Sequence, residues 1–479
     1  MKKKILAMLM AAAMGATLLA GCGSSGSSSS SDSSDTASTD DTSKDQDSGD
    51  GSTENADDPV VSTYGDDSGT HLELWTFVDV HGAFYGKMVD KWNEANPDRK
   101  ISLTATTYPY GDMHDKLLMS LQAGTGAPDI CDVEVGQFPN VVAGEDNWLY
   151  AEDDAVAPYK NDMVASRLET YQGENGKQYG MPFHVGATVM YYNMKALEDA
   201  GITQADVDAV VTWDDYAALG KKYLDAIGNP DGKYFTSVDT GGTDWLWLAM
   251  SEYGEDWTGG MGGKANVQLE SVKKMLKMQQ DWLNSGLAEV SPDGHVDLEA
   301  GFQNILDGNI VSFPKAMWYM SRFINYMPEE KGNWYIAKCP VFEAGQKCSV
   351  GIGGTGTVVT NQSKDPELAA DFVAYAKCSP DGEQVIWDDL GFDVCNTSLW
   401  TQDDFAHNTS NQYNTFFRNY PYDVLASIKD DIGKISVTKI SPTINEQICT
   451  TTLNEVLEDG MDVDEALQEA QDAVDLEQQ

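Results

Sequence analysis

Three clusters of side chains suited to gripping a polyhydroxylated molecule follow short β-rich runs: Asp79 with His81; Tyr108, Tyr110 and Asp112; and Glu134 with Gln137. Carboxylates and amides meet hydroxyl groups in fixed geometry, and flat aromatic rings accept the C–H face of a ligand ring. Further along, Trp245 and Trp247 follow a Gly-rich turn, Trp318 and Trp400 stand in loop-like stretches, and Arg322 is the one nearby arginine. Each of those four rings could stack on a ligand or fill a core. Trp92, Trp213, Trp282 and Trp387 lie in helical windows and read as core or cap-adjacent residues.

The motifs of common enzymes are missing. The sequence holds no Gly-x-Ser-x-Gly elbow, no His-Glu-x-x-His zinc motif and no Cys-x-x-Cys pair. Gly351-x-Gly353-x-x-Gly356 has dinucleotide spacing, but the strand-like run Thr357-Val-Val-Thr360 follows it where a helix is required. Gly263-Lys264-Ala265 lacks the first glycine and the hydroxyl of a phosphate loop, and the turns at 229–232 and 291–294 lack the alternating oxygens of a calcium loop. No cofactor and no metal are expected. With 77 acidic residues some carboxylate pair is always available, so a glycosidase stays open as the enzymatic rival. Cys339 and Cys348, flanking Pro340 and Gly345, could form a disulfide or remain thiols, whereas Cys131, Cys378 and Cys449 read as inert.

The elements that must position these residues alternate. Leu72–Phe77, Ile101–Thr106 and Asp129–Val135 have strand composition, and apolar residues at helical spacing fill the stretches between them. That order predicts a parallel sheet covered by helices. Tyr179–Asn193 reads as strand, Thr212 with Asp215 as a capping box, and Gly286 as a helix stop. Pro366 opens a helix capped by Ser363 or Asp365, and two helices close the chain. Alternation over more than 400 residues exceeds one core and predicts two α/β lobes.

At the amino end Lys2–Lys4 precede the apolar run Ile5–Ala20, which is too short to span a bilayer comfortably, and then Leu19-Ala20-Gly21-Cys22. Residues 1–21 read as a signal peptide, and 22–69, rich in Ser and Asp, as a tether with little to bury. The chain has 479 residues, with 31 basic against 77 acidic side chains and a formal net charge of −46. Such a field repels phosphate backbones and anionic headgroups, so no nucleic-acid partner is expected.

Several pieces in sequence order resemble the sugar- and oligosaccharide-binding family of extracellular solute-binding proteins of ABC importers, the maltose-binding-protein-like family 1. They are Leu74-Trp75-Thr76 with a helix ending Asn96-Pro97; Ala123-Gly124 with Ala127-Pro128-Asp129-Ile130; Tyr179-Gly-Met-Pro182 with Met190-Tyr-Tyr-Asn-Met194; Gly308-Asn-Ile310 with Met317-Trp318; Gly353-Gly354 with Asp365-Pro366; and Glu465-Ala-Leu467. Phe313-Pro314-Lys315-Ala316 departs from the pattern, because many relatives carry Gly-x-Trp there.

The Leu-Ala-Gly-Cys ending resembles a lipobox, which implies diacylation of Cys22. The resemblance implies a two-lobe periplasmic-binding-protein-like fold with the ligand cleft between lobes. Lobe one would be 70–184 plus 353–405, and lobe two 187–352 plus 406–479. Gly180, Gly186, Gly353 and Gly354 would be hinge positions and His184 would lie at the cleft floor. The implied partners are a small carbohydrate and ABC permease transmembrane subunits with their ATPase. The membrane would be reached only through the lipid, and the protein would be a monomer on the outer face of a bacterial cell membrane, without an outer membrane. The competing solutes are iron, a polyamine, a peptide or a phosphate ester.

Overall fold

A computed structural model describes residues 59–65, 68–260 and 263–478; the signal peptide, Cys22 and most of the tether lie outside them. The amino-terminal part follows the predicted alternation. Strands β1 (Val60–Tyr64), β2 (Thr70–Thr76), β3 (Ile101–Thr107), β4 (Ile130–Glu134) and β5 (Met181–Pro182) are accompanied by helices α1 (Asp79–Ala95) and α2 (Tyr110–Ala123). β2 runs parallel to both β3 and β4, as strand-helix-strand connections require. Its inward Leu72 and Leu74 are buried while Glu73 between them is exposed.

β1 corrects the boundary of the tether. Residues 60–64, read as tether, form a strand: β1 pairs antiparallel with β3, Val60 opposite Thr107 and Tyr64 opposite Leu103. Tyr64 supplies the anchor: its ring lies over Gly86 of α1, where any Cβ would collide with it.

The remaining strands are β6 (Thr188–Asn193), β7 (Thr236–Val238), β8 (Ala288–Val290), β9 (Ser312–Ala316), β10 (Trp334–Ala337), β11 (Ser349–Val350), β12 (Thr355–Val359) and β13 (Ile432–Gly433). They form two principal sheets. One is six-stranded, in the order β1-β3-β2-β4-β12-β5, and the other is three-stranded, in the order β10-β6-β9. Pairs β7–β8 and β11–β13 are parallel. Pro314, the departure noted above, sits in β9 at the edge of the smaller sheet, where a missing N–H costs least.

The stretch 179–193 is not one strand. It leaves the six-stranded sheet at Pro182 and enters the smaller sheet at Thr188. In the passage between, the N–H groups of Gly186 and Ala187 donate to the two oxygens of Asp393, at 3.2 and 2.8 Å. Residues 351–354 pass back alongside, with Ala187 bridged to Gly351. Gly186, Gly353 and Gly354 have φ of 69°, 67° and 106°, a region that disfavours side chains. A Cβ on Gly354 would strike Arg167. Gly180 lies before the crossing, packed between Phe138 and Tyr171.

The capping readings hold in detail. Thr212 and Asp215 form a reciprocal capping box, Gly286 ends its helix at φ 72°, and Asp365 rather than Ser363 caps the helix Pro366–Cys378. The predicted helix 443–457 is interrupted: Ser441–Gln447 and Leu453–Leu457 flank a π-helical turn at Ile448–Thr452. Cys339 and Cys348 are free and buried, so no disulfide links them. Instead of forming a hairpin, the chain after Cys348 enters β11, which pairs with β13, and the Cys348 thiol faces Asp431.

The six-stranded half encloses charge. Asp132 on β4 is fully buried and accepts from Thr76 Oγ1 at 2.9 Å, Tyr85 Oη at 2.8 Å and Thr357 Oγ1 at 2.6 Å. Lys377 Nζ lies 3.8 Å from Asp132, donates to the Met181 carbonyl, and sits 3.4 Å above the centre of the Phe183 ring. Burial alone would raise the Asp132 carboxyl, but Lys377 and His81 outweigh it and hold it well below the carboxylate range. Burial dominates at Lys377 and lowers the ammonium to about 8.

His81 belongs to this cluster, which corrects its assignment as a ligand residue. It is 0% exposed, bonds Asp132 at 3.2 Å, and stacks on Phe183 with centroids 4.1 Å apart. Position explains the difference: His81 lies in the first turn of α1 and turns back into the core, whereas half-buried Asp79 opens that helix beyond the end of β2.

Candidate functional site

In open α/β sheets, ligands sit beyond the carboxyl ends of the strands. On the six-stranded sheet those ends carry Tyr108, Tyr110, Glu134 and Gln137, and the structure places them beside one another. Tyr110 Oη donates to Glu134 Oε2 at 3.2 Å, and the Gly136 N–H donates to the same oxygen at 2.6 Å. The partner that fixes them is His114, one helical turn into α2. Its Nδ1 faces the Tyr110 carbonyl at 2.8 Å, and its Nε2 accepts the Glu134 N–H at 3.1 Å. Those contacts assign the proton to Nδ1 and demand a neutral ring. Burial enforces the same state by lowering His114 to about 4.

Tyr108 is held by Lys116, whose Nζ donates to its hydroxyl at 2.6 Å and lies 4.4 Å from the centre of the Trp75 ring. Asp112 is exposed on the first turn of α2, and Gln137 is half-buried at the start of a short helix, Phe138–Val142.

His184 stands at the crossing. Its ring stacks on Phe392 at 4.7 Å, and Nδ1 is 3.5 Å from Asp393. Arg167, unmarked in the sequence reading, donates to the His184 carbonyl at 2.9 Å and also to the Gly353 carbonyl, tying both crossing segments to the helix Ala165–Thr170.

On the smaller half the aligned ends are those of β7, β8 and β9. Trp318 follows β9 and donates through Nε1 to the Ile352 carbonyl at 3.1 Å, which seats it against the second crossing. Two cations flank its ring, Lys315 Nζ at 5.6 Å and the Arg322 guanidinium at 5.3 Å from the centroid. Arg322 is bonded to Asp297 at 2.9 and 3.3 Å. Lys315 donates to Asp244 at 2.5 Å and lies 3.2 Å from His295 Nε2. Burial opposes the Lys315 charge, yet Asp244, Asp239 and Asp297 together hold it above its ordinary value. Asp239, at the end of β7, accepts from Ser291 Oγ at 2.6 Å and from the Val296 N–H at 3.0 Å.

Three tryptophans assigned as ligand candidates are core residues. Trp245 packs among Trp213 and Trp282 at 5.5 and 5.8 Å, and Trp247 packs on Trp257 at 5.2 Å. Trp400, 1% exposed, donates to the Val394 carbonyl. The helix Asp244–Tyr253 is buried on nearly every face, and its two tryptophan rings are taken up by packing against other tryptophans.

The residues missed were Asp239, Asp244, His295, Asp297 and Lys315. A signal existed for the first: Phe235-Thr-Ser-Val238 is a short strand run, and Asp239-Thr-Gly-Gly follows it. Nothing in the spacing marked the others, since Lys315 reads as one residue of an irregular apolar run.

Two sheets joined by paired crossing segments, with hydrogen-bonding and aromatic side chains at the strand ends of each, define a two-lobed binding protein. The chain belongs to the bacterial extracellular solute-binding protein family, which it matches over residues 78–377. It is 36% identical over 422 residues, 88% of this chain and 92% of the other, to the arabinooligosaccharide-binding protein of Halalkalibacterium halodurans. To the arabinooligosaccharide-binding protein of Bacillus subtilis it is 37% identical over 387 residues, 79% and 86% of the two chains. The crystal structure of the cyclic alpha-maltosyl-1,6-maltose binding protein from Arthrobacter globiformis matches the fold with a TM-score of 0.68 at 20% identity, covering 85% of this chain and 98% of that one.

Proposed function

We propose that this protein captures an arabino-oligosaccharide outside the cytoplasmic membrane and delivers it to the transmembrane subunits of an ABC importer. The observation that carries the reading is Trp318: a flat ring fixed at the crossing segment, with acids, amides and tyrosine hydroxyls at the strand ends of both halves. Arabinose units offer such a site hydroxyls for the polar groups and C–H faces for the ring. The arabinose assignment draws on the names of the two relatives that the chain matches over most of its length.

The ligand favours the closed arrangement by touching both lobes at once. No bond is made or broken. The lobes are 60–184 plus 353–405 and 187–352 plus 406–479, with Gly186, Gly353 and Gly354 absorbing the rotation. The lipid on Cys22 holds a monomer near its permease, and the tether raises the local encounter rate. A phosphate ester is disfavoured because the cations beside Trp318 already face carboxylates, Arg322 with Asp297 and Lys315 with Asp244.

Thermal-shift and calorimetric titration with arabino-, malto- and galacto-oligosaccharides, ferric iron and polyamines tests the solute. Stabilisation by arabino-oligosaccharides alone is the expected result; a shift with iron or polyamine and none with any glycan would refute it. Cleavage of a bound glycan would support the glycosidase instead. Cys22→Ser should release the protein from membranes, and its persistence there would remove the anchor.

A further inference from the structure

Three contacts join the stretch Val296–Phe302 to Met317–Tyr326 like rungs. Tyr319 Oη donates to the Val296 carbonyl at 3.0 Å; Arg322 bonds both oxygens of Asp297; and the rings of Tyr326 and Phe302 are stacked, 4.8 Å apart and nearly parallel, at 9°. Trp318 lies in the 3-10 turn Met317–Tyr319 that leads into the helix Met320–Tyr326, with the Arg322 guanidinium 5.3 Å from its ring centre; Arg322 and Tyr326, spaced by four, share one face of that helix. The near end of this line is fixed to the crossing by the Trp318 bond to Ile352.

The far end has a different character. Tyr326 is 52% exposed and Leu298, one turn before Phe302, is 40% exposed, whereas Trp318 is only 4% exposed. Exposed Glu299, Gln303 and Asn325 border the pair in sequence. A flat apolar platform with a polar rim, on the helix whose Arg322 lies beside Trp318, has the form of a sugar subsite.

We propose that Phe302 and Tyr326 form an outer subsite that stacks on the distal unit of an oligosaccharide whose inner units rest against Trp318. The inference rests on the oligosaccharide reading above and adds chain length to it. The inner cleft sets which sugar binds, and the outer pair sets how strongly longer chains are preferred over short ones. A ring stack at a half-exposed site is worth about 1 kcal/mol, or about fivefold in affinity.

The test is calorimetric titration of the full chain with a length series of linear arabino-oligosaccharides, from the disaccharide upwards. Tyr326→Leu keeps an apolar side chain but removes the plane, and Phe302→Leu does the same from beneath. Each should lose about fivefold affinity for the long members and none for the disaccharide, while Tyr326→Phe keeps wild-type affinity throughout. Equal loss at every length, or no loss at any length, overturns the subsite. If the wild-type protein ignores the arabinose series and binds another glycan, the arabinose reading fails, and the same variants on that glycan's length series decide the subsite independently. If no glycan binds, both fall.

Discussion

The two halves of the molecule each contain a lysine, an aspartate and a histidine in contact, yet the two groups do opposite things. In the six-stranded half, Lys377, Asp132 and His81 are all fully buried within the sheet-helix interface. In the smaller half Lys315, on β9 and itself only 2% exposed, joins Asp244 and His295, whose side chains keep 13% and 11% exposure. Burial raises the cost of charge in both. Lys377 is lowered to about 8, while Lys315 is held above its ordinary value by three carboxylates. The number of charged carboxylates therefore separates the two: one leaves Lys377 lowered in the core, whereas three keep Lys315 charged beside Trp318.

Removing the lysines should split the two groups most sharply. Lys377→Met leaves buried Asp132 with only His81 to balance it, so it should cost about 3–5 kcal/mol in urea unfolding, while the folded fraction keeps wild-type ligand affinity. Lys315→Met leaves Asp244 near water and should cost only about 1–2 kcal/mol, with about a tenfold loss of affinity. If Lys377→Met weakens binding in the folded protein, or Lys315→Met does not, the division between core and cleft is wrong.

Tryptophans repeat the contrast within the smaller half alone. Trp245→Ala empties a cluster of packed rings and should cost about 3 kcal/mol of stability without changing affinity. Trp318→Ala removes the platform at the crossing and should weaken ligand binding about thirtyfold. Reversed assignments, read from denaturation and calorimetry of both variants, would move the site away from the crossing.

That contrast also marks how much was legible in the sequence. Alternating strand and helix signals placed β2, α1, β3, α2 and β4, because hydrophobic periodicity is a local property. Tyr110, Glu134 and Trp318 could be marked as candidates because each stands at or just past the end of a recognisable strand. His81 and Trp245 were misassigned for one reason: both lie in the first turn of a helix, and one residue of helical rotation, about 100°, decides between cleft and core. Composition carries no record of that rotation. Lys315 and Asp244 stayed hidden because their pairing joins segments far apart in sequence. β1 was missed because its two valines are exposed and only Tyr64 reports the sheet beneath.

A pH-dependent effect isolates what a buried carboxylate needs in order to stay charged. Glu252, on the helix that carries Trp245, accepts from Trp213 Nε1 at 3.0 Å and from the Phe342 N–H at 2.6 Å. These donors are neutral, and burial outweighs them, raising the carboxyl to about 7, whereas Asp132 beside Lys377 is held low. Because the folded value lies above the unfolded one of about 4.5, the folded state binds the extra proton between them. Stability from this group is complete below about pH 4.5 and is lost as pH rises through 7, by about 3 kcal/mol. Glu252→Gln cannot ionise, and its amide nitrogen cannot accept one of the two donors, so it starts with a fixed penalty. That penalty is independent of pH, whereas the wild-type loss is not. The stability of Glu252→Gln relative to wild type should therefore rise between pH 5 and about 7 and then level off, followed by urea midpoints across that range. Parallel wild-type and variant curves would mean that Glu252 stays ionised, its two neutral donors and the nearby Lys274 together holding the charge.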